Sequence, residues 1–146
     1  MQNEIKRYIE EVKELKDNGF IITENDERIL DIINTVFLKG EITIKEIKKE
    51  IATDDIIEIF KSAVLSGKPL LLYCRENMPD ILYSKLDEYI EDNLYLRDGS
   101  KWTLLKRPEN FYLIFCLFVR NIKEIEERIE ILSAKFDSRL LNRKSM

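Results

Sequence analysis

The sequence predicts an α/β fold in which parallel strands are covered by helices. Two segments without a polar break carry the prediction: Pro69-Leu70-Leu71-Leu72-Tyr73-Cys74 and Phe111-Tyr112-Leu113-Ile114-Phe115-Cys116-Leu117-Phe118-Val119. A strand with one wet face must alternate, so an unbroken run means burial on both faces, as in a helix-covered parallel sheet. Between the two runs, Pro79 to Asp92 reads as an amphipathic helix, and helical crossovers are how parallel strands are joined.

The remaining elements follow in chain order. Ile5, Tyr8, Ile9, Val12 and Leu15 recur at helical spacing, with Asn18-Gly19 as the expected stop. Phe20-Ile21-Ile22-Thr23 is a short strand or an extended link. Thr23 or Asn25 can cap a helix carrying Ile29, Leu30, Ile32, Ile33, Val36 and Phe37, which ends at Lys39-Gly40. Glu41-Ile42-Thr43-Ile44 is strand-like, and a short helix through Ile47 and Ile51 is expected after it. Thr53 then caps Asp54 to Leu65, where Asp54 and Asp55 suit the helix dipole, and Ser66-Gly67 stops the helix.

Beyond the crossover helix, Leu94 to Leu105 reads as an inserted β-hairpin turning at Asp98-Gly99. From Asn121 onward, Ile122, Ile125, Ile129, Leu132 and Phe136 repeat in a 3-4-3-4 pattern, giving a C-terminal amphipathic helix. Barely two heptads are present, so packing on its own sheet is the preferred reading over a coiled-coil seam. No internal repeat is visible.

At 146 residues, 45% apolar and 36% charged, the chain reads as a single ordered domain, 1–146. Four glycines and three prolines leave little room for a Gly-rich phosphate loop or a linker. The charged start, Met1 to Arg7, carries no secretory signal. The longest apolar run falls well short of the roughly 20 residues a spanning helix needs, so no membrane association and an intracellular location, cytoplasmic or nuclear, are expected. Cys74 and Cys116 sit in the two apolar runs without metal-ligand spacing and read as core residues. Histidine is absent. That removes the usual general base, the Ser-His and Cys-His nucleophile pairs and the commonest zinc ligand. No catalytic residue, metal site or cofactor is expected. Charge is uneven: residues 1–93 hold 13 Lys/Arg against 21 Asp/Glu, and residues 94–146 hold 11 against 7. An acidic front and a basic back suit self-association or oriented docking.

Several of these segments together resemble a known family. Leu70-Leu71-Leu72, then Pro79 and the run Leu86, Glu88, Ile90, Glu91, Asp92, look like the Walker B strand and following helix of AAA+ ATPases of the MoxR and midasin type. Ala63 and Gly67 precede the strand as a small residue and Gly do in that branch. Arg97-Asp98-Gly99 resembles its hairpin turn, and Pro108-Glu109-Asn110-Phe111 its approach to the sensor strand. Leu132-Ser133-Ala134 to Arg139 is similar to its Leu-Ser-Pro-Ala-Leu-x-x-Arg-Phe element. The likeness covers residues 54–140, an AAA+-like core segment of a partial P-loop-NTPase-like sheet, with 1–53 as a helical N-terminal part.

The family's chemistry does not carry over. Its strand ends in Asp-Glu, which position magnesium and the attacking water; those positions here are Tyr73 and Cys74, with Glu76 two places displaced. The sensor asparagine corresponds to Phe118. No Gly-x-x-x-x-Gly-Lys-Ser/Thr exists, and Gly67-Lys68 is a bare dipeptide. Arg139 matches the family's trans-acting arginine, which reaches a neighbour's nucleotide. The resemblance therefore implies a degenerate, non-hydrolysing module in a remodelling assembly, for midasin relatives one of ribosome maturation, with a P-loop ATPase as partner.

Two other classes compete. Ile29 to Gly40, Glu41 to Ile44 and Lys45 to Ile51 resemble the opening of a winged helix-turn-helix, with the hairpin as wing. Against it, the would-be recognition helix sets Asp54, Asp55 and Glu58 against Lys61 alone, which repels phosphates. Nucleic acid is thus the lesser expectation. A small acidic inhibitor or adaptor of a mobile element, pairing with a basic protein surface, needs no motif. Arg97, Lys101, Trp102, Lys106 and Arg107 are the candidate partner contacts, since Trp and Arg dominate interaction hot spots, with packing of Trp102 onto the sheet as the competing and preferred reading of that residue.

Overall fold

The computed structural model describes residues 2–24 and 28–144. Asn25, one of the two expected helix caps, lies outside the described residues. In chain order the elements are α1 (Gln2–Leu15), β1 (Gly19–Glu24), α2 (Arg28–Val36), β2 (Thr43–Glu46), α3 (Thr53–Ser66) and β3 (Leu70–Arg75). They continue as α4 (Asp80–Ile90), β4 (Tyr95–Asp98), β5 (Lys101–Leu104), β6 (Leu113–Val119) and α5 (Glu127–Lys144), with a 3-10 turn at Ile122–Glu124.

β1, β6, β3 and β2 form a parallel sheet in that spatial order, while β4 and β5 pair apart as an antiparallel hairpin. The two apolar runs supply the two central strands, as their lack of alternation demands. β6 is buried at all seven positions. One face, with Leu70, Leu72, Cys74, Leu113, Phe115 and Leu117, packs against α3, α4 and α5. The other, with Leu71, Ile114, Cys116 and Phe118, packs against α1 and α2. Phe115 stacks on Phe20 of β1 at 5.1 Å, and Phe20 in turn meets Phe136 of α5 at 5.2 Å. Each such side chain contributes about 1.5–3 kcal/mol by leaving water, so these contacts dominate the fold. The α/β class, the inserted hairpin and the C-terminal helix packed on its own sheet are what forms, Ile129, Leu132 and Phe136 being the buried stripe of α5.

Other expectations need correction. Residues 1–53 are more than helical, because β1 and β2 are strands of the same sheet. Residues 47–52 form a turn and extended chain instead of a short helix. The Ile47 N–H donates to the Tyr73 carbonyl at 2.8 Å, so backbone pairing with β3 runs one residue past β2 and outweighs the Ile47/Ile51 spacing. The helix-turn-helix reading thereby loses its second helix.

Thr23 lies within β1. Thr53 is the first residue of α3, with Ala52 at the cap position and no side-chain cap bond. α1 stops at Leu15, where Lys16 takes the left-handed conformation at φ 52°, earlier than Asn18-Gly19. Gly19 instead opens β1, where an added Cβ would lie 3.0 Å from the Val12 side chain and 3.2 Å from the Tyr8 ring. Asn18 is buried; its Oδ1 accepts from the Tyr89 hydroxyl at 2.6 Å and from the Leu113 N–H at 2.9 Å.

Candidate functional site

The carboxyl ends of parallel strands are where open α/β sheets hold ligands. At the end of β3, Tyr73 and Cys74 occupy the places that the ATPase resemblance gives to two acids. The Cys74 thiol points into the core, and burial pushes its pKa up to about 12. The Tyr73 ring meets Phe118 of β6 edge-on at 5.7 Å. The Arg75 guanidinium lies 5.6 Å from both rings, and its Nε donates to Glu46 at 3.2 Å. Glu76 then turns the chain in the left-handed region at φ 64°, its N–H bonded to the Phe118 carbonyl, and pairs with Arg120 at 3.2 Å. An aromatic pair under a cation is a poor fit for magnesium, which wants oxygen donors. Among the described residues no group of three or more His, Cys, Asp or Glu could hold a metal ion.

At the opposite, amino edge of the sheet lies a groove of about 760 Å³ between α4, α5 and the α1–β1 connection. Two sequence-predicted residues line it, Arg107 and Arg139. Arg107 turns inward, donating to Asp17 at 3.2 Å beside the buried Tyr89. It therefore ties the chain after the hairpin to the start of β1 and is not a free partner contact. Arg139 pairs with Asp92 at 3.0 Å in an exposed ion pair. Lys135 is held by Asp87 at 2.7 Å and Glu91 at 3.4 Å. Every one of these groove cations already has an acid.

The hairpin is the third region, and it groups the other predicted residues. The register pairs Arg97 with Trp102 and Tyr95 with Leu104, so these four side chains share one face. That face points to solvent: Trp102 is 50% exposed, Tyr95 47% and Leu104 38%. The Arg97 guanidinium sits 5.8 Å from the Trp102 ring, while its Nε donates to the Gly99 carbonyl at 2.8 Å. On the other face Leu96 packs against the core, while Asp98, Lys101 and Thr103 are exposed, Asp98 meeting Lys61 of α3 at 3.4 Å. Gly99 and Ser100 form the turn, one residue later than expected, with Gly99 at φ 65°. Lys101 and Lys106 are exposed.

The structure thus brings Arg97, Lys101 and Trp102 together, with Lys106 following, and separates Arg107 and Arg139 from them. Sequence reasoning missed Tyr95 and Leu104 as members of the exposed face. Period-2 alternation from Arg97 and Trp102 would have found them. It also missed Asp17 and Asn18, which carry no local signal. No helix among the described residues is long and apolar enough to cross a membrane. No protein-family model matches the chain, and no curated protein matches it.

Proposed function

We propose that the chain is a non-hydrolysing AAA+-like module that acts by binding other proteins within a remodelling assembly. The observation that carries this reading is the neighbourhood of β3 and β6. The resemblance assigns paired acids to the first strand and a water-orienting asparagine to the second, and such groups must stand side by side to share one water. The strands are neighbours, but Tyr73, Cys74 and Phe118 stand at those positions. No carboxylate is there to hold magnesium or to activate water. What is left is a rigid scaffold that presents a cationic, aromatic hairpin and an arginine.

That arginine, Arg139, is held among the described residues by an exposed pair with Asp92. Exposed pairs contribute little, so Asp92 can give it up to a neighbour's phosphate at small cost. A P-loop ATPase is accordingly the proposed partner, and ribosome maturation the candidate setting carried by the midasin likeness.

The test is a nuclease-treated affinity capture with the full chain, read by mass spectrometry and followed by ATPase assay of the reconstituted complex. The expected result is an intact P-loop ATPase or pre-ribosomal factors, no hydrolysis by the chain alone, and lower activity of the complex with Arg139→Ala. Hydrolysis by the purified chain, or material recovered only when nuclease is omitted, contradicts the reading.

A further inference from the structure

The hairpin is two strands wide, and a two-stranded sheet leaves each strand with one unpaired edge. The Leu105 N–H donates to the Leu94 carbonyl at 2.8 Å. Hydrogen-bonded pairs alternate along an antiparallel ladder, so Lys101, Thr103 and Leu105 bond inward to β4. The N–H and C=O groups of Trp102 and Leu104 therefore point out along the free edge of β5. All four residues of β5 are exposed. Proteins commonly blunt such an edge with lysine, charge or shortness. This edge is short and bears Lys101, yet it leaves Trp102 and Leu104 uncovered beside it, which protection against aggregation does not require.

Charge says what would cover it. The one acid of the hairpin, Asp98, is neutralised by Lys61. Lys101, which opens β5, and Lys106, two residues beyond its end, have no acid partner among the described residues, and Arg97 adds a third cation on the aromatic face.

We infer that the free edge of β5 is a docking strand for an extended, acidic segment of a partner protein. The segment adds as a third strand, bonding to the backbone of Trp102 and Leu104. Its apolar residues cover Trp102 and Leu104, and its carboxylates meet Lys101 and Lys106. This inference rests on the reading of the chain as a protein-binding module, and not on its likeness to ATPases.

Trp102 is the only tryptophan of the chain, so its fluorescence reports the site directly. The full chain is titrated with a short synthetic peptide of alternating Glu and Val, with the same peptide carrying Lys for Glu, and with oligothymidylate. The acidic peptide is expected to shift Trp102 emission to the blue and to saturate, while the other two leave it unchanged. Lys101→Glu with Lys106→Glu weakens binding about tenfold. Leu104→Pro removes the outward N–H without touching the ladder and abolishes binding, whereas Leu104→Ala only weakens it. No shift with the acidic peptide, equal binding of the lysine peptide, or full binding by Leu104→Pro overturns the inference. A shift with oligothymidylate alone overturns it in favour of single-stranded nucleic acid. Peptide binding without capture of a P-loop ATPase upholds the docking strand and removes the ATPase-like reading; ATPase capture by a chain that ignores the peptide does the reverse.

Discussion

β6 and β5 are strands of one chain, separated by eight residues, and they are opposites. Every residue of β6 is buried between two layers of helices, and every residue of β5 is exposed. β6 is held by neighbours on both edges, β1 and β3, whereas β5 has β4 alone. Burial on both faces can stabilise a strand by many kcal/mol, while an isolated hairpin in water is marginal. The hairpin persists because it is anchored through Leu94, Leu96 and Leu105, which pack into or against the core. The difference separates roles. The central sheet fixes the shape, and the hairpin holds aromatic surface that stability alone does not call for.

The comparison is broken most directly at its buried side. Phe115→Ala should destabilise the protein by about 3–5 kcal/mol in urea unfolding, since it empties a site packed on both neighbours. A loss under about 1 kcal/mol would mean the centre of the sheet is loosely packed. Asn18→Ala comes next, because it strands the Tyr89 hydroxyl and the Leu113 N–H in the interior. The expected cost is about 1–3 kcal/mol by the same measurement.

Trp102→Ala should change stability by no more than about 0.5 kcal/mol, as for an exposed position. A loss like that of Phe115→Ala would place the hairpin in the core and end the contrast.

The smallest effect concerns Asp137, whose pKa burial raises, with the Tyr8 hydroxyl at 3.4 Å opposing part of the shift. At acid pH both folded and unfolded chains hold this proton. As pH rises the unfolded chain releases it first, so stability falls through that window and levels off above the folded value. Asp137→Asn should flatten that slope and slightly raise the melting temperature at neutral pH. An unchanged slope across the acid range would show that another group sets it.

How much of this was legible in the sequence follows from how local each signal is. β3 and β6 were legible because an unbroken apolar run has few alternatives, and the hairpin because Asp98-Gly99 marks a turn between two extended stretches. β1 was ambiguous because four residues, Phe20 to Thr23, are too few for a period. The segment after β2 misled because two isoleucines four apart fit a helix equally well. Ile47 is instead buried by the chain leaving the sheet edge, with its N–H on Tyr73. Arg107 read as a partner contact because its acid, Asp17, lies ninety residues away, and only the folded sheet brings them to 3.2 Å. The same holds for Asn18, whose sequence context suggests a helix end and whose structural task is to bridge α4 and β6.

Amide hydrogen exchange of the full chain, resolved by residue, tests the contrast most directly. Amides of β3 and β6 should exchange only through global unfolding, and those of Trp102 and Leu104 at rates close to an open chain. Slow exchange at Trp102 and Leu104 in the isolated protein would contradict the account, since it would mean the edge of β5 is already covered.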